Sequence, residues 1–294
     1  MMGPTRSVSA RAAGRFLLIG VVLVGLLAGG TAAAVERWLL PPTDDDVLTL
    51  LLLGSDGGPP RPDSLTSARA DGFQLLFVSA DRRHATFVSI PRDSWVPVPG
   101  RGTTRINACL NHGPERCVET AESVFDIEVD GYLLTSMRGF GRAFYEYGPI
   151  EVDVPRSLVV GNTSVSPGLQ ELDGKEALVY ARDRKSRPDG DYGRSRAQAE
   201  LLALAHEQSL AQGDTAAVLH AVSVVRRHSV TDIPPAQLVQ YGFQALHLPP
   251  ENVARRLAPS RLGTAGAASV SYLEAAAYDL IRDAAADGRI GDSD

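Results

Sequence analysis

Val47 to Asp93 reads VLTLLLLGSDGGPPRPDSLTSARADGFQLLFVSADRRHATFVSIPRD, and this stretch decides the fold. It holds three short apolar runs: VLTLLLLG (Val47–Gly54), FQLLFVSA (Phe73–Ala80) and ATFVSI (Ala85–Ile90). Runs this short, bounded by glycine, proline or charged residues, predict buried strands. The polar turn Asp81-Arg82-Arg83-His84 joins the second and third as a hairpin, and Pro91 ends the third. Between the first and second lies a loop dense in Gly and Pro over its first half.

Downstream, residues 114–125 predict a helix with Pro114 in its first turn. VDGYLL (Val129–Leu134) and IEVDV (Ile150–Val154) predict strands, with a helix between them despite Gly139 and Gly141. Further helices are predicted over 173–183, 191–211, 216–228, 234–246 and 271–286, and an edge strand over 252–258. Strands alternating with helices predict an α/β sandwich.

Upstream, Arg6, Arg11 and Arg15 precede any acidic residue, and Phe16–Val35 carries no charge. Twenty residues of helix reach about 30 Å, the thickness of a hydrocarbon core. The basic flank places residues 1–15 in the cytoplasm, 16–35 across the membrane, 36–46 as a tether and 47–294 outside. The alternative is a cleaved signal peptide, with apolar run Phe16–Ala28 and cleavage near Ala32-Ala33-Ala34. Both readings export the rest of the chain. Outside the cytoplasm Cys109 and Cys117 are able to pair as a disulfide; the alternative is two buried thiols.

Several classes are excluded. The 294 residues are 44% hydrophobic and 22% charged, enough to bury a core. The formal net charge is −6, and export loses three arginines more, which argues against a nucleic-acid partner. Two cysteines exclude a four-Cys zinc site. P-loop, nucleophile-elbow and HExxH motifs are missing from the sequence.

The informative residues sit at strand ends. Asp56 follows the first strand, Arg69 and Asp71 precede the second, Arg92 and Asp93 follow the third, and Arg105 and Asn107 stand in RIN. YARDRKSRPDGDYGRSRAQAE (Tyr180–Glu200) carries Arg182, Arg184, Lys185, Arg187, Arg194 and Arg196 against Asp183, Asp189 and Asp191 up to Arg196. A charge run alone is an ordinary solvated loop with weak ion pairs. Three features point further. Ligand sites of α/β sheets lie beyond strand ends. The planar guanidinium grips phosphate oxygens with two bonds. Asp56 and Asp71 form a carboxylate pair able to hold Mg²⁺ (or Mn²⁺) with phosphate oxygens. The residues thus predict an extracellular site for a phosphate or pyrophosphate compound.

LLLLGSD, RADGFQLL, SIPRDSWVPVPG, RINAC, GLQELDGKEALVYARDR and DGDYGRSRAQ, in this order, resemble the LytR-CpsA-Psr (LCP) family over roughly residues 47–205. The resemblance implies an αβα sandwich around a mixed central sheet, with a long apolar pocket for a lipid tail. It implies a membrane-anchored bacterial phosphotransferase. Such an enzyme moves a glycopolymer from a polyprenyl-pyrophosphate carrier onto a peptidoglycan hydroxyl and releases polyprenyl phosphate. By the same resemblance, Asp56 and Asp71 are the metal-side carboxylates. Arg69, Arg92, Arg182, Arg184 and Arg194 clamp the pyrophosphate, supported by Asp191 and Gln198. Asp93, Arg105 and Asn107 complete the candidate set, and Asp93 either accepts the hydroxyl proton or orients Arg92.

The chain departs from the family pattern at Ala197, where arginine is usual, and at Ala70, Gly72 and the ACLNHGPERC stretch. The runs 73–80 and 85–90, with helices 114–125 and 135–147, are expected to wall the lipid pocket. A polyprenyl-pyrophosphate hydrolase and a non-catalytic polyprenyl-phosphate-binding envelope protein are the alternatives.

Overall fold

The computed structural model describes residues 46–57, 68–212 and 215–290. The predicted membrane segment 16–35 and the tether up to residue 45 lie outside the described residues. No described helix is long and apolar enough to cross a membrane.

The centre is a six-stranded sheet in the order β11 (Ser229–Thr231), β6 (Gly131–Ser136), β1 (Leu48–Ser55), β2 (Ala70–Val78), β3 (Ala85–Ser89), β12 (Val253–Leu257). β1 is mostly apolar, with a run of four leucines, because in mid-sheet it is covered on both sides. It runs antiparallel to β2 and parallel to β6; β3 is antiparallel to β2 and parallel to β12, so the sheet is mixed. The predicted hairpin is the β2–β3 pair.

Alternation along the strands sends Leu51, Leu53, Phe73, Leu75 and Phe77 to one face, against α1 (Pro114–Phe125) and α7 (Ala275–Asp287). Leu48, Leu50, Leu76 and Val78 point the other way, toward α5 (Thr215–His228) and α6 (Pro235–Ala245). α4 (Asp191–Gln212) crosses over β3 and β12. Layers of helix on both faces of a mixed sheet meet the fold expectation.

A second core joins Phe144 of α2 (Met137–Tyr147), Tyr180 of α3 (Gly174–Arg182), and Ala197 and Leu201 of α4. β7 (Ile150–Val154) belongs here, paired with β10 (Gly168–Leu172) rather than with the central sheet. Gly141 of α2 and Gly174 of α3 allow the two helices to touch: a Cβ on Gly174 would collide with the Gly141 carbonyl, and one on Gly141 would stand 3.0 Å from the Gly174 carbonyl. α3 starts at a capping box: the Asp173 carboxylate accepts from the Lys175 and Glu176 amides, and Glu176 accepts from the Asp173 amide.

One predicted element is corrected. Ser271–Leu273 is not helical; it ends β14 (Ala268–Leu273), paired with β13 (Ser260–Ala265), and the last helix begins at Ala275. Cys109 and Cys117 form a disulfide that ties the 3-10 segment Ile106–His112 to α1.

Candidate functional site

The charged residues of the motifs meet at one end of the sheet. β1 and β3 finish there and β2 begins there. A bulge between Gly54 and Ser55 breaks the β1–β2 register at this end. Beyond it, the Asp56 and Asp71 amides both donate to the Arg69 carbonyl, at 3.1 Å each, so the two aspartates flank one residue. The Arg69 amide donates back to Asp56 Oδ1 at 2.7 Å.

Arg92, just past β3, lies at the centre of a network. Its Nη1 donates to Asp71 Oδ1 at 2.6 Å, and its Nε stands 3.4 Å from Asp191 and 3.6 Å from Asp93. Arg194 comes from the first turns of α4. It donates to the Asp71 carbonyl at 3.2 Å and pairs with the carboxylates of Asp71 and Asp191, each at 3.6 Å. Arg184 reaches Asp191 at 4.0 Å, and Arg105 reaches Asp93 at 3.4 Å. Gln198, one turn beyond Arg194, donates to the Ala181 carbonyl at the end of α3. Its Oε1 lies where a Cβ on Gly72 would have to go, so glycine there keeps the helix close to the strand. The Asn107 amide donates to the Arg92 carbonyl, fixing the RIN turn against the same strand end.

The two central arginines are perturbed in opposite directions. Burial works against the charge on Arg92, but Asp71, Asp191 and Asp93 outweigh it and its pKa lies above the ordinary arginine value. Arg194 goes the other way: burial, with Arg92 and Arg184 as neighbouring cations, holds it below, although Asp191 and Asp71 oppose this. The Nε atoms of Arg92 and Arg194 are buried with no hydrogen-bond partner among the described residues. Arg92 Nε nonetheless faces the Asp191 and Asp93 carboxylates at 3.4 and 3.6 Å, so the Arg194 Nε is the buried donor that marks a place for a further acceptor.

Asp56 and Asp71 fit a divalent metal. Oδ1 of each is hydrogen-bonded, whereas Oδ2 of Asp71 is 3.6 Å from its nearest ion-pair partner and Oδ2 of Asp56 takes no described bond. Among the described residues no cluster of three or more His, Cys, Asp or Glu could hold a metal. Two hard carboxylates completed by phosphate oxygens are a Mg²⁺ donor set rather than a self-sufficient protein cage.

The model of the LytR_cpsA_psr family matches residues 31–283. The chain belongs to that family. Among curated proteins, it is 37% identical over 141 residues to the polyisoprenyl-teichoic acid--peptidoglycan teichoic acid transferase TagV of Bacillus subtilis, covering 44% of this chain and 36% of that one. It is 30% identical over 148 residues to the TagU transferase of Oceanobacillus iheyensis, covering 48% and 46%. The aligned part is thus less than half the length of either. The crystal structure of B. subtilis TagV superposes with a TM-score of 0.70 over 82% of this chain and 96% of that one, at 21% identity, a likeness of fold.

For a member of this family, the placement of each candidate is informative. Asp71, Arg92, Asp93, Arg105, Asp191, Arg184 and Arg194 form one ion-pair network. Arg69 and Arg182 are exposed and take no ion pair among the described residues. Arg196 points away from the network and pairs with Asp189. Ala197, the departure from the family pattern, is buried in the second core.

Two contributors had no sequence signal. Ser269 and Ser271, on β14, hold Arg105 and Asp93 through backbone groups: the Ser269 carbonyl accepts from Arg105, and the Ser271 amide donates to the Asp93 carbonyl. The site therefore needs the chain well beyond residue 205.

An apolar cleft of about 190 Å³ opens on the sheet face toward α6. Leu48, Leu50, Leu76 and Val78 line it from the sheet, and Tyr241 and Ala245 from α6. The runs 73–80 and 85–90 do contribute residues. The helices 114–125 and 135–147 do not line this cleft: α1 packs on the opposite face and α2 in the second core. Gly54, Leu52, Leu50 and Leu48 alternate onto the same face as Gly72, Gln74, Leu76 and Val78. One face therefore connects the arginine network to the cleft across six residues of β1, about 20 Å at strand rise.

Proposed function

We propose that this protein transfers a glycopolymer from a polyprenyl-pyrophosphate carrier to a peptidoglycan hydroxyl, forming a phosphodiester and releasing polyprenyl phosphate. The observation that carries this reading is the buried arginine cluster around Arg92 and Arg194, in which the Arg194 Nε has no hydrogen-bond partner among the described residues, at one end of a face whose other end is an apolar cleft. A pyrophosphate with a long lipid tail has that division of polar and apolar parts.

In this reading Arg92 and Arg194 hold the oxygens of the two phosphates. Their forks are already aimed by Asp71 and Asp191. Exposed Arg69, Arg182 and Arg184 close over the phosphates from outside. The acceptor hydroxyl oxygen attacks the sugar-side phosphorus and gives up its proton to the released phosphate or to solvent, the bond to the bridging oxygen breaks, and the charge gathering on the leaving polyprenyl phosphate falls among guanidinium donors. Asp93 stands between Arg92 and Arg105, where it orients both. Asp56 and Asp71 would hold Mg²⁺, or Mn²⁺, which supplies charge neutralisation at phosphate oxygens. The lipid tail follows the face of Leu52, Leu50 and Leu48 into the cleft. The protein is anchored by a single N-terminal span, residues 16–35, with its catalytic domain outside the cell membrane.

The test is release of polyprenyl phosphate by the full-length protein from a polyprenyl-pyrophosphate glycan. It is run with and without Mg²⁺, and with and without peptidoglycan fragments. Metal-dependent release with glycan appearing on the fragments is the expected result. Release independent of acceptor, with free glycan phosphate as product, would identify a hydrolase. Lipid binding without release under any condition would identify a binding protein.

A further inference from the structure

α4 has a second working side. Asp191, Arg194 and Gln198 face the sheet end; Gly193, Arg196, Ala197 and Glu200 line a separate groove of about 490 Å³ behind the helix. Its other walls are the turn just after β7, the loop after α3, and the edge strand β12. The groove closes over the first turn of α4 because Gly193 has no side chain; a Cβ there would collide with Asp189 and Arg187.

Five guanidiniums line this groove, from Arg156, Arg187, Arg196, Arg255 and Arg256, against three carboxylates, Asp153, Asp189 and Glu200. The carboxylates are largely committed. Glu200 accepts the Tyr180 hydroxyl at 2.6 Å, and Asp189 pairs with Arg196. Arg187 is structural: it lies over the Tyr180 ring and donates to the Tyr180 and Asp183 carbonyls. That leaves Arg156, Arg255 and Arg256. All three are exposed, and none has a carboxylate within ion-pair distance among the described residues. Arg156 and Arg256 each donate once to a backbone carbonyl, of Ser186 and Arg255. Unpaired cations from two separate elements converge on one concave surface in a chain of net charge −6. Like charges placed together destabilise the empty protein, and an anion relieves them.

The groove adjoins the first site. At its floor Ser89, three residues before Arg92, donates to the Ser195 carbonyl on α4. We infer that this groove binds a polyanionic stretch of the glycopolymer, a chain carrying phosphodiester charges, as it leaves the pyrophosphate site. The inference rests on the transfer reading, which supplies a carrier-linked polymer at the adjoining site. Arginine suits this ligand: its fork takes two oxygens of one charged group, and several along a groove take successive groups.

The test separates the two sites. Full-length protein carrying Arg92→Ala, in detergent, is titrated with a fluorescent short inorganic polyphosphate at low and moderate salt, with neutral dextran as control. The expected result is salt-sensitive binding that survives Arg92→Ala and weakens about tenfold or more when Arg156→Gln, Arg255→Gln and Arg256→Gln are added. The Arg255→Gln, Arg256→Gln pair should give part of that loss, and unchanged melting temperatures show that the variants fold. Unchanged affinity in the triple variant overturns the inference and leaves Arg255 and Arg256 as protection of an exposed strand edge. Binding already lost in Arg92→Ala also overturns it, since the first site would then be the sole anion site. Loss of binding to phosphatidylglycerol vesicles with polyphosphate binding intact overturns it in favour of a membrane surface. Failure of glycan transfer by wild-type protein whose groove still binds polyphosphate would instead refute the transfer reading.

Discussion

Replacing Arg92 with alanine removes the hub of the site, and its two consequences separate by size. The Arg92–Asp71 pair is 18% and 13% exposed, at 2.6 Å. Its loss should cost about 2–3 kcal/mol, between the near-zero value of surface pairs and the 3–5 kcal/mol of broken buried ones. For a domain of this size that lowers the melting temperature by about 5–10 °C. A protein of ordinary stability, about 5–15 kcal/mol, remains folded at 25 °C after such a loss. Unfolding therefore cannot account for the rate loss expected on removing one donor from developing phosphate charge, about 10²–10³-fold. Arg92→Lys tests the logic further. It keeps the charge beside Asp71, Asp191 and Asp93 but gives up the planar fork, so it should recover most of the melting temperature and little of the rate. The assay is released polyprenyl phosphate at saturating carrier, beside differential scanning fluorimetry on the same preparations. Near wild-type turnover by Arg92→Ala would refute the assignment. So would lysine restoring rate and stability in step, because Arg92 would then act only as a structural cation.

Replacing Cys109 and Cys117 by alanine opens a crosslink of sequence separation 8, and chain entropy puts its loss at about 2.5 kcal/mol. Scanning fluorimetry should show wild type falling to the variant's melting temperature in strong reductant and the variant unmoved by it; equal melting without reductant would contradict this. Asp81 is held below its ordinary pKa of 3.8 by the Ser79 hydroxyl, the Arg83 amide, Arg289 and His84, against the opposing effect of burial. A depressed acid stabilises above its unfolded pKa and loses that contribution as pH falls through the folded value. The melting-temperature gap between wild type and Asp81→Asn should therefore be small but present at neutral pH and close in acid, and a pH-independent gap would rule the account out. Ala245→Phe fills the apolar cleft, so mass spectrometry should find less co-purifying polyprenyl lipid at unchanged melting temperature; equal lipid content would show that the tail lies elsewhere.

The strand–hairpin core was legible because β1, β2 and β3 are apolar runs with clear punctuation, and α1 because Pro114 opens it at a tolerated position. The charged site was legible because its residues cluster at the strand ends and their motifs resemble a family. Periodicity could not say which sheet face α1 covers, and α1 lies on the face opposite the apolar cleft. Ser271–Leu273 was taken into a helix because the alanine-rich sequence that follows it is helical; only pairing with β13 makes it a strand. The help that Ser269 and Ser271 give to Arg105 and Asp93 runs through carbonyl and amide groups, which every residue owns, so no side-chain pattern announces it.

The aspartates of the network explain why its arginines can act before substrate arrives. A guanidinium on a long side chain has much rotamer freedom, and fixing it at the moment of binding would consume affinity. Asp71 and Asp191 meet that cost on folding: each touches both Arg92 and Arg194 and fixes the direction of their forks. The same contacts leave the Arg194 Nε buried with no hydrogen-bond partner among the described residues, so the ordered cations retain capacity for an incoming anion. Asp71→Asn keeps the shape and one acceptor oxygen but removes the charge that holds both arginines. It should therefore weaken carrier binding as well as turnover, while Asp93→Asn, whose carboxylate touches Arg92 only at 3.6 Å, should spare binding more. Equal loss of carrier affinity in the two variants would show that net charge alone, and not the aimed geometry, sets binding at this site.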